Sequence, residues 1–167
     1  LYLHDGGWDS TQRYFMVAAN QSNKIVVVDA LEGDLEAMVD TPEVPHPGRG
    51  ANWIDPLYGP VWTTAHLSAA SLIAIGTDPE GNPDSAWKVV RNIELPGAGS
   101  LFVKTHPNSK WVWVDFTLNS DEKLQRTVCV IAKADPTAKV AEDVKGLDQP
   151  QRASLRPRVA PASSRPV

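Results

Sequence analysis

Apolar and polar positions alternate along this chain in short runs, and the runs are separated by clusters of turn-forming residues. β-rich runs cover residues 13–18, 24–29, 60–64, 71–76, 86–93, 101–105, 110–116 and 127–132. Each is short enough, and rich enough in Val, Ile, Thr, Tyr, Phe and Trp, to predict a strand rather than a helix. The breaks fall at residues 21–23, 77–83 and 106–109, where Asn, Pro, Gly or Ser supplies turn chemistry. Residues 31–38 offer the one stretch with some helical character, but 35–39 fits an outer strand better.

The pattern repeats. Aromatic-rich strands begin at Arg13, Pro60 and Lys110, at intervals of 47 and 50 residues, and a second β-run follows each at Lys24, Ser71 and Thr127. A four-stranded unit recurring at about 40–50 residues predicts the blades of a β-propeller. One small twisted sheet cannot bury both of its faces, whereas radial stacking of blades buries them and hides most edges. The Trp and Tyr side chains are the expected wedges between blades. The expected fold is therefore all-β, a fragment of about three blades, with two raw blade faces that would make the piece unstable or adhesive alone.

Residues 149–167 break the pattern. They contain Pro150, Pro157, Pro161 and Pro166 with Arg152, Arg156, Arg158 and Arg165, no acidic residue and no strand alternation. Residues 1–131 are expected to be propeller. Residues 132–167 are expected to be a divergent tail, either disordered or, the favoured reading, the product of a reading-frame slip.

Composition narrows the function classes. With 167 residues and a net charge of −4, the chain shows neither a basic stripe for nucleic acid nor an acidic block. No apolar run approaches the roughly 20 residues of a membrane span. The first residue is Leu1 and no signal peptide is present, so the chain reads as an internal piece. Cys129 is the sole cysteine, which rules out an internal disulfide; within the alternating run 127–131 it reads as core.

Glycine-rich phosphate loops, paired-His zinc spacing, a nucleophile elbow and a Cys-x-x-Cys-His haem attachment site are all absent from the sequence. Any chemistry would then rest on a bound cofactor. Four histidines remain: His4, His46, His66 and His106. Taken one at a time, a surface or turn-stabilising role is the commoner outcome for each. His46 stands apart, because Pro45-His46-Pro47-Gly48-Arg49-Gly50 predicts a stiff loop able to approach a ligand closely. Arg49 within it is a natural clamp for a carboxylate or phosphate.

Several stretches, in order, resemble the d1-haem domain of cytochrome cd1 nitrite reductases. They are His4-Asp5-Gly6-Gly7-Trp8-Asp9-Ser10, residues 14–20, Pro45-His46-Pro47-Gly48-Arg49-Gly50-Ala51-Asn52, Gly59-Pro60-Val61-Trp62, residues 75–81, Ala86-Trp87-Lys88 and residues 99–107. The resemblance runs to about residue 131. It implies an eight-bladed propeller carrying haem d1 in its central channel, with haem c in a separate domain absent here. It implies one-electron reduction of nitrite to nitric oxide in the bacterial periplasm, a small electron-donor protein as partner, and a homodimeric parent. By motif it places the two histidines over the open haem face on His4 and His46, the arginine that meets the haem carboxylates on Arg49, and an aromatic near the macrocycle on Phe102. The axial iron ligand would lie upstream of this chain, and the piece alone is expected to be inactive.

Histidine can hold a proton near neutral pH and release it, as cleavage of the nitrite N–O bond requires. Two imidazolium groups would also hold the anion. A phenyl face adds apolar area against the ring. The strand pattern sets one difficulty: His4 is expected at the end of an inner strand and His46 before the next, nominally at opposite ends, with the pair His66 and His106 as second choice. Two other functions compete: a propeller that binds haem d1 or a precursor during cofactor assembly, and a scaffold for a protein partner.

Overall fold

The computed structural model describes residues 2–136. It is all-β apart from a single 3-10 turn and one short helix among the described residues. The first sheet is formed by β1 (Leu3–Trp8), β2 (Tyr14–Ala19), β3 (Lys24–Asp29) and β4 (Asp34–Asp40). The second is formed by β5 (Pro45–Asp55), β6 (Gly59–His66), β7 (Ser71–Gly76) and β8 (Val89–Glu94). The third has three strands: β9 (Val103–Thr105), β10 (Trp111–Asp115) and β11 (Val128–Ala132). In each sheet the strands follow one another in chain order and pair antiparallel. These are propeller blades at the predicted repeat. The inner strands β1, β5 and β9 lie side by side, with β5 touching both others.

Alternation explains the first blade. In β3, Ile25 and Val27 point inward while Val26 and Val28 are only half-buried. The stretch 31–38 is not helical: Asp29 accepts hydrogen bonds from the backbone N–H groups of Leu31 and Glu32, and the turn through Gly33 leads into β4. β6 and β7 sit in the middle blade and are buried along most of their length. They read as continuous apolar runs because neighbouring blades cover both their faces.

Two cores lie between blades. Trp62, Ile73 and Ile75 of the second blade meet Tyr14, Met16, Ile25 and Val27 of the first. Trp53 and Leu72 pack on the other side with Val103, Val112, Val114, Phe116 and Cys129 of the third. The indole N–H of Trp87 donates to Glu36, and Trp87 meets Tyr14 edge-on at 4.6 Å, tying the β7–β8 connection to the first blade. Cys129 is a core residue whose thiol burial pushes up to about 11, as expected for an unreactive position.

Three differences from the sequence reading stand out. The strand expected at 86–93 begins at Val89, because Trp87 adopts a positive φ and Ala86 makes an isolated bridge to Gly76. A four-residue helix, α1 (Glu122–Gln125), capped by the Asp121 side chain, stands in the β10–β11 connection. The expected tail at 132–167 falls, from residue 137 on, outside the described residues.

The third difference is the Pro–Gly stretch, expected as a loop. It is the first half of β5, an 11-residue strand whose pairing with β6 shifts register between His46 and Ala51. Gly48 and Gly50 take φ values of +59° and +66° within this bulge. Pro47 is tolerated because an innermost strand pairs on one side only. A Cβ at Gly50 would fall on the indole of Trp62, which is fully buried. Gly50→Ala is therefore expected to cost roughly 1–3 kcal/mol from overpacking, with positive-φ strain in addition. A urea midpoint indistinguishable from that of the unsubstituted protein would refute this packing.

Candidate functional site

His4 and His46 occupy equivalent places in successive blades. Each is the second residue of an inner strand, and each pairs with an alanine near the end of the adjoining strand, Ala18 and Ala65 respectively. This corrects the expected position of His4: the inner strand starts at Leu3 and runs forward to Trp8, so His4 opens it rather than closing it. The two histidines therefore share one end of the propeller and the Pro–Gly segment has no need to fold back. Their ring centroids lie 5.1 Å apart with planes inclined at 42°.

Asp5 lies between them. It sits at a second bulge, where the β1–β2 register shifts between His4 and Gly6, and it has a φ of +57°. Aspartate tolerates this left-handed conformation better than most residues. Its Oδ2 is 3.0 Å from Nε2 of His46 and 3.3 Å from Nδ1 of His4. The other ring nitrogen of His46, Nδ1, is 3.2 Å from the Leu101 carbonyl oxygen, so the ring is held from both sides. His46 is buried, whereas His4 is more than half exposed.

β5 and β9 supply the rest. His4, Asp5, His46, Gly48, Arg49, Phe102 and Lys104 line an open cleft of about 630 Å3. Close packing of backbone on backbone brings Arg49 there: a Cβ on Gly7 would run into the Arg49 carbonyl. Phe102 presents its ring with 52% of its surface exposed, and a Cβ on Gly48 would come within 3.0 Å of it. Asp115 positions this segment by accepting from the backbone N–H groups of Leu101 and Phe102. The Lys104 ammonium stands 5.9 Å from the Phe102 ring centroid. Its pKa is lowered, first by partial burial and then by the positive charge of Arg49, with Asp5 acting in the opposite sense. Arg49 makes no side-chain hydrogen bond or ion pair among the described residues.

All four sequence candidates, His4, His46, Arg49 and Phe102, thus meet in one cleft. The second-choice pair does not. His66 is fully buried at the end of β6, with Nδ1 2.8 Å from the Ser71 carbonyl and its pKa lowered by burial. His106 is in a turn and accepts a hydrogen bond from the Asn108 backbone N–H. Sequence reasoning missed Asp5 and Lys104. Strand alternation could have found Lys104, which lies two residues from Phe102 and so on the same face. A second hollow of about 540 Å3, lined by Trp8, Asn52, Trp53 and Lys133 among others, contains no histidine.

The cleft combines an exposed aromatic face, two cations and a His–Asp–His cluster. It can hold a flat, anionic ligand and move protons above it.

Comparison with known proteins gives the same direction. The sequence model of the family described as "Cytochrome D1 heme domain" matches residues 1–154. A nitrite reductase of Stutzerimonas stutzeri is 45% identical over 170 residues, an alignment that covers 96% of this chain and 30% of that protein. The dihydro-heme d1 dehydrogenase NirN in complex with DHE superposes with a TM-score of 0.70 at 23% identity, over 90% of this chain and 29% of that one. The hydrazine synthase of Kuenenia stuttgartiensis superposes with a TM-score of 0.66 at 18% identity, over 86% of this chain and 37% of that one. The chain spans about a third of the length of these proteins.

Proposed function

This chain belongs to the cytochrome D1 heme domain family, and we propose that it is the part of a larger haem d1 enzyme that carries the proton-donating face of a nitrite reductase. The observation that carries the reading is the convergence of His4 and His46, equivalent residues of two blades, above a cleft edged by Phe102 and Arg49.

The residues fit the cofactor. A carboxylate-bearing macrocycle needs an apolar face, cations at its rim and polar groups over its centre. Phe102 offers an exposed ring for offset stacking. Arg49 has no partner among the described residues and is available to a carboxylate, with Lys104 nearby as a second cation. The absence of a side chain at Gly48 keeps the approach to Phe102 open.

Reduction of one nitrite consumes one electron and two protons and yields nitric oxide and water. Haem d1, when bound, supplies the electron. His4 and His46 hold the nitrite anion through their ring N–H groups, and each gives a proton to the oxygen that departs as water. His46, seated in the wall, keeps a fixed position; His4, open to solvent, is the route by which protons are replaced. The eight-bladed closure, an iron ligand from another part of the parent, a haem c domain fed by a small donor protein, a homodimeric assembly, a periplasmic location and a place in denitrification complete the proposal.

The test is nitric oxide release by the full-length, haem-loaded protein given nitrite and a reduced donor. Stoichiometric nitric oxide is the expected result. The competing reading is a propeller that binds haem d1 or its precursor without reducing nitrite. Haem d1 uptake with no nitric oxide formed would favour that cofactor-assembly reading and overturn this one.

A further inference from the structure

We infer that Asp5 is a positioning residue that joins His4 and His46 into one unit through a single carboxylate oxygen, an inference that rests on the reading above. The reason lies in which atoms can donate. The Leu101 carbonyl only accepts, so Nδ1 of His46, 3.2 Å away, carries a hydrogen directed at it. The opposite nitrogen, Nε2, faces the Asp5 carboxylate at 3.0 Å. A carboxylate also accepts, so this contact is a hydrogen bond only when a second proton lies between Nε2 and Oδ2. The same oxygen stands 3.3 Å from Nδ1 of His4, within ion-pair reach of that ring as well.

One carboxylate oxygen thus stands within ion-pair distance of both imidazoles, whose ring centroids lie 5.1 Å apart. Nitrite entering the cleft competes with Asp5 for the same two ring nitrogens. In the proton step each imidazole loses one N–H proton to the departing oxygen, the N–O bond breaks and water leaves. The electron is the one supplied by haem d1, as proposed above. The bulge that turns Asp5 to a φ of +57° has this consequence: it directs the carboxylate between the strands. The charged and titratable groups facing the cluster are His4 and Asp5 on β1, His46 and Arg49 on β5, and Lys104 on β9.

The test is Asp5→Asn in the full-length protein. Asparagine keeps the side-chain size and tolerates positive φ, so the backbone is retained. Diethylpyrocarbonate modifies the unprotonated imidazole, and peptide mass gives the rate at each histidine. With the carboxylate removed, the contact that occupies Nε2 of His46 is lost, and His46 is expected to be modified several-fold faster. In the haem-loaded protein kcat for nitrite should fall while haem content is unchanged. Equal modification rates in D5N and the unsubstituted protein would overturn the inference, whatever happens to kcat. If the unsubstituted protein forms no nitric oxide, the reductase reading fails, but the modification rates still decide the role of Asp5.

Discussion

His46→Ala in the full-length, haem-loaded protein is expected to lower nitrite turnover by roughly 10²- to 10⁴-fold, the contribution of a positioned proton donor. The magnitude follows from how His46 is held. The side chain is only 10% exposed, with Leu101 on one side and Asp5 on the other, so no rotamer search precedes proton transfer. Arg49 beside it cannot substitute, because a guanidinium does not give up its proton near neutral pH. His4→Ala removes the other donor, but the exposed position it leaves admits water, so a smaller loss is expected there. Haem content is followed by absorbance, so that turnover is compared per bound cofactor. A His46→Ala protein with normal haem content and full turnover would remove the histidine pair from the chemistry.

Asp55→Ala is expected to destabilise the fold by roughly 3–5 kcal/mol, the usual cost of breaking a buried ion pair from one side. The Asp55 side chain is fully buried. It accepts from the backbone N–H of Leu57 at 2.9 Å and of Tyr58 at 3.2 Å, and from Nε and Nη2 of Arg91, each at 3.0 Å. Alanine would orphan those donors and leave the guanidinium, stacked 4.7 Å from the Tyr58 ring centroid, without its counterion. The pair sits where β5 turns into β6, so it also fixes the strand that carries His46 and Arg49. Burial pushes the Asp55 carboxyl up, but the hydrogen bonds from Arg91 and the two amides outweigh it and hold the pKa below its ordinary value. A depressed folded-state pKa means stability that is complete above the unfolded value, about 4, and is lost as pH falls through the folded value. The urea midpoint should therefore differ most between the two proteins at pH 7 and converge below pH 4. Asp55→Asn, which keeps an acceptor, should fall between them. Equal midpoints at pH 7 would show that the pair contributes nothing net.

Much of the fold was legible because a half-buried strand writes its orientation into alternate residues. β2, β3 and β10 could be read directly from Tyr14–Ala19, Lys24–Asp29 and Trp111–Asp115. β1 and the first half of β5 were harder. Gly6, Gly7, Pro47, Gly48 and Gly50 carry no strand propensity. Their selection is steric: an inner strand must pass close to its neighbour, as Gly7 does to the Arg49 backbone. α1 leaves no trace in the pattern for a different reason: four residues capped by Asp121 make no periodic signal.

By itself the sequence determined the all-β class, the blade repeat, the core position of Cys129 and the residue types of the cleft. Those properties are local, set by side-chain period and by motifs of adjacent residues. The tertiary structure alone decided that His4 opens its strand and so meets His46, that Asp5 bridges them, and that Lys104 joins Arg49. Each depends on how inner strands of different blades come side by side and on bulges within each blade, where a single extra residue reverses which way a side chain points.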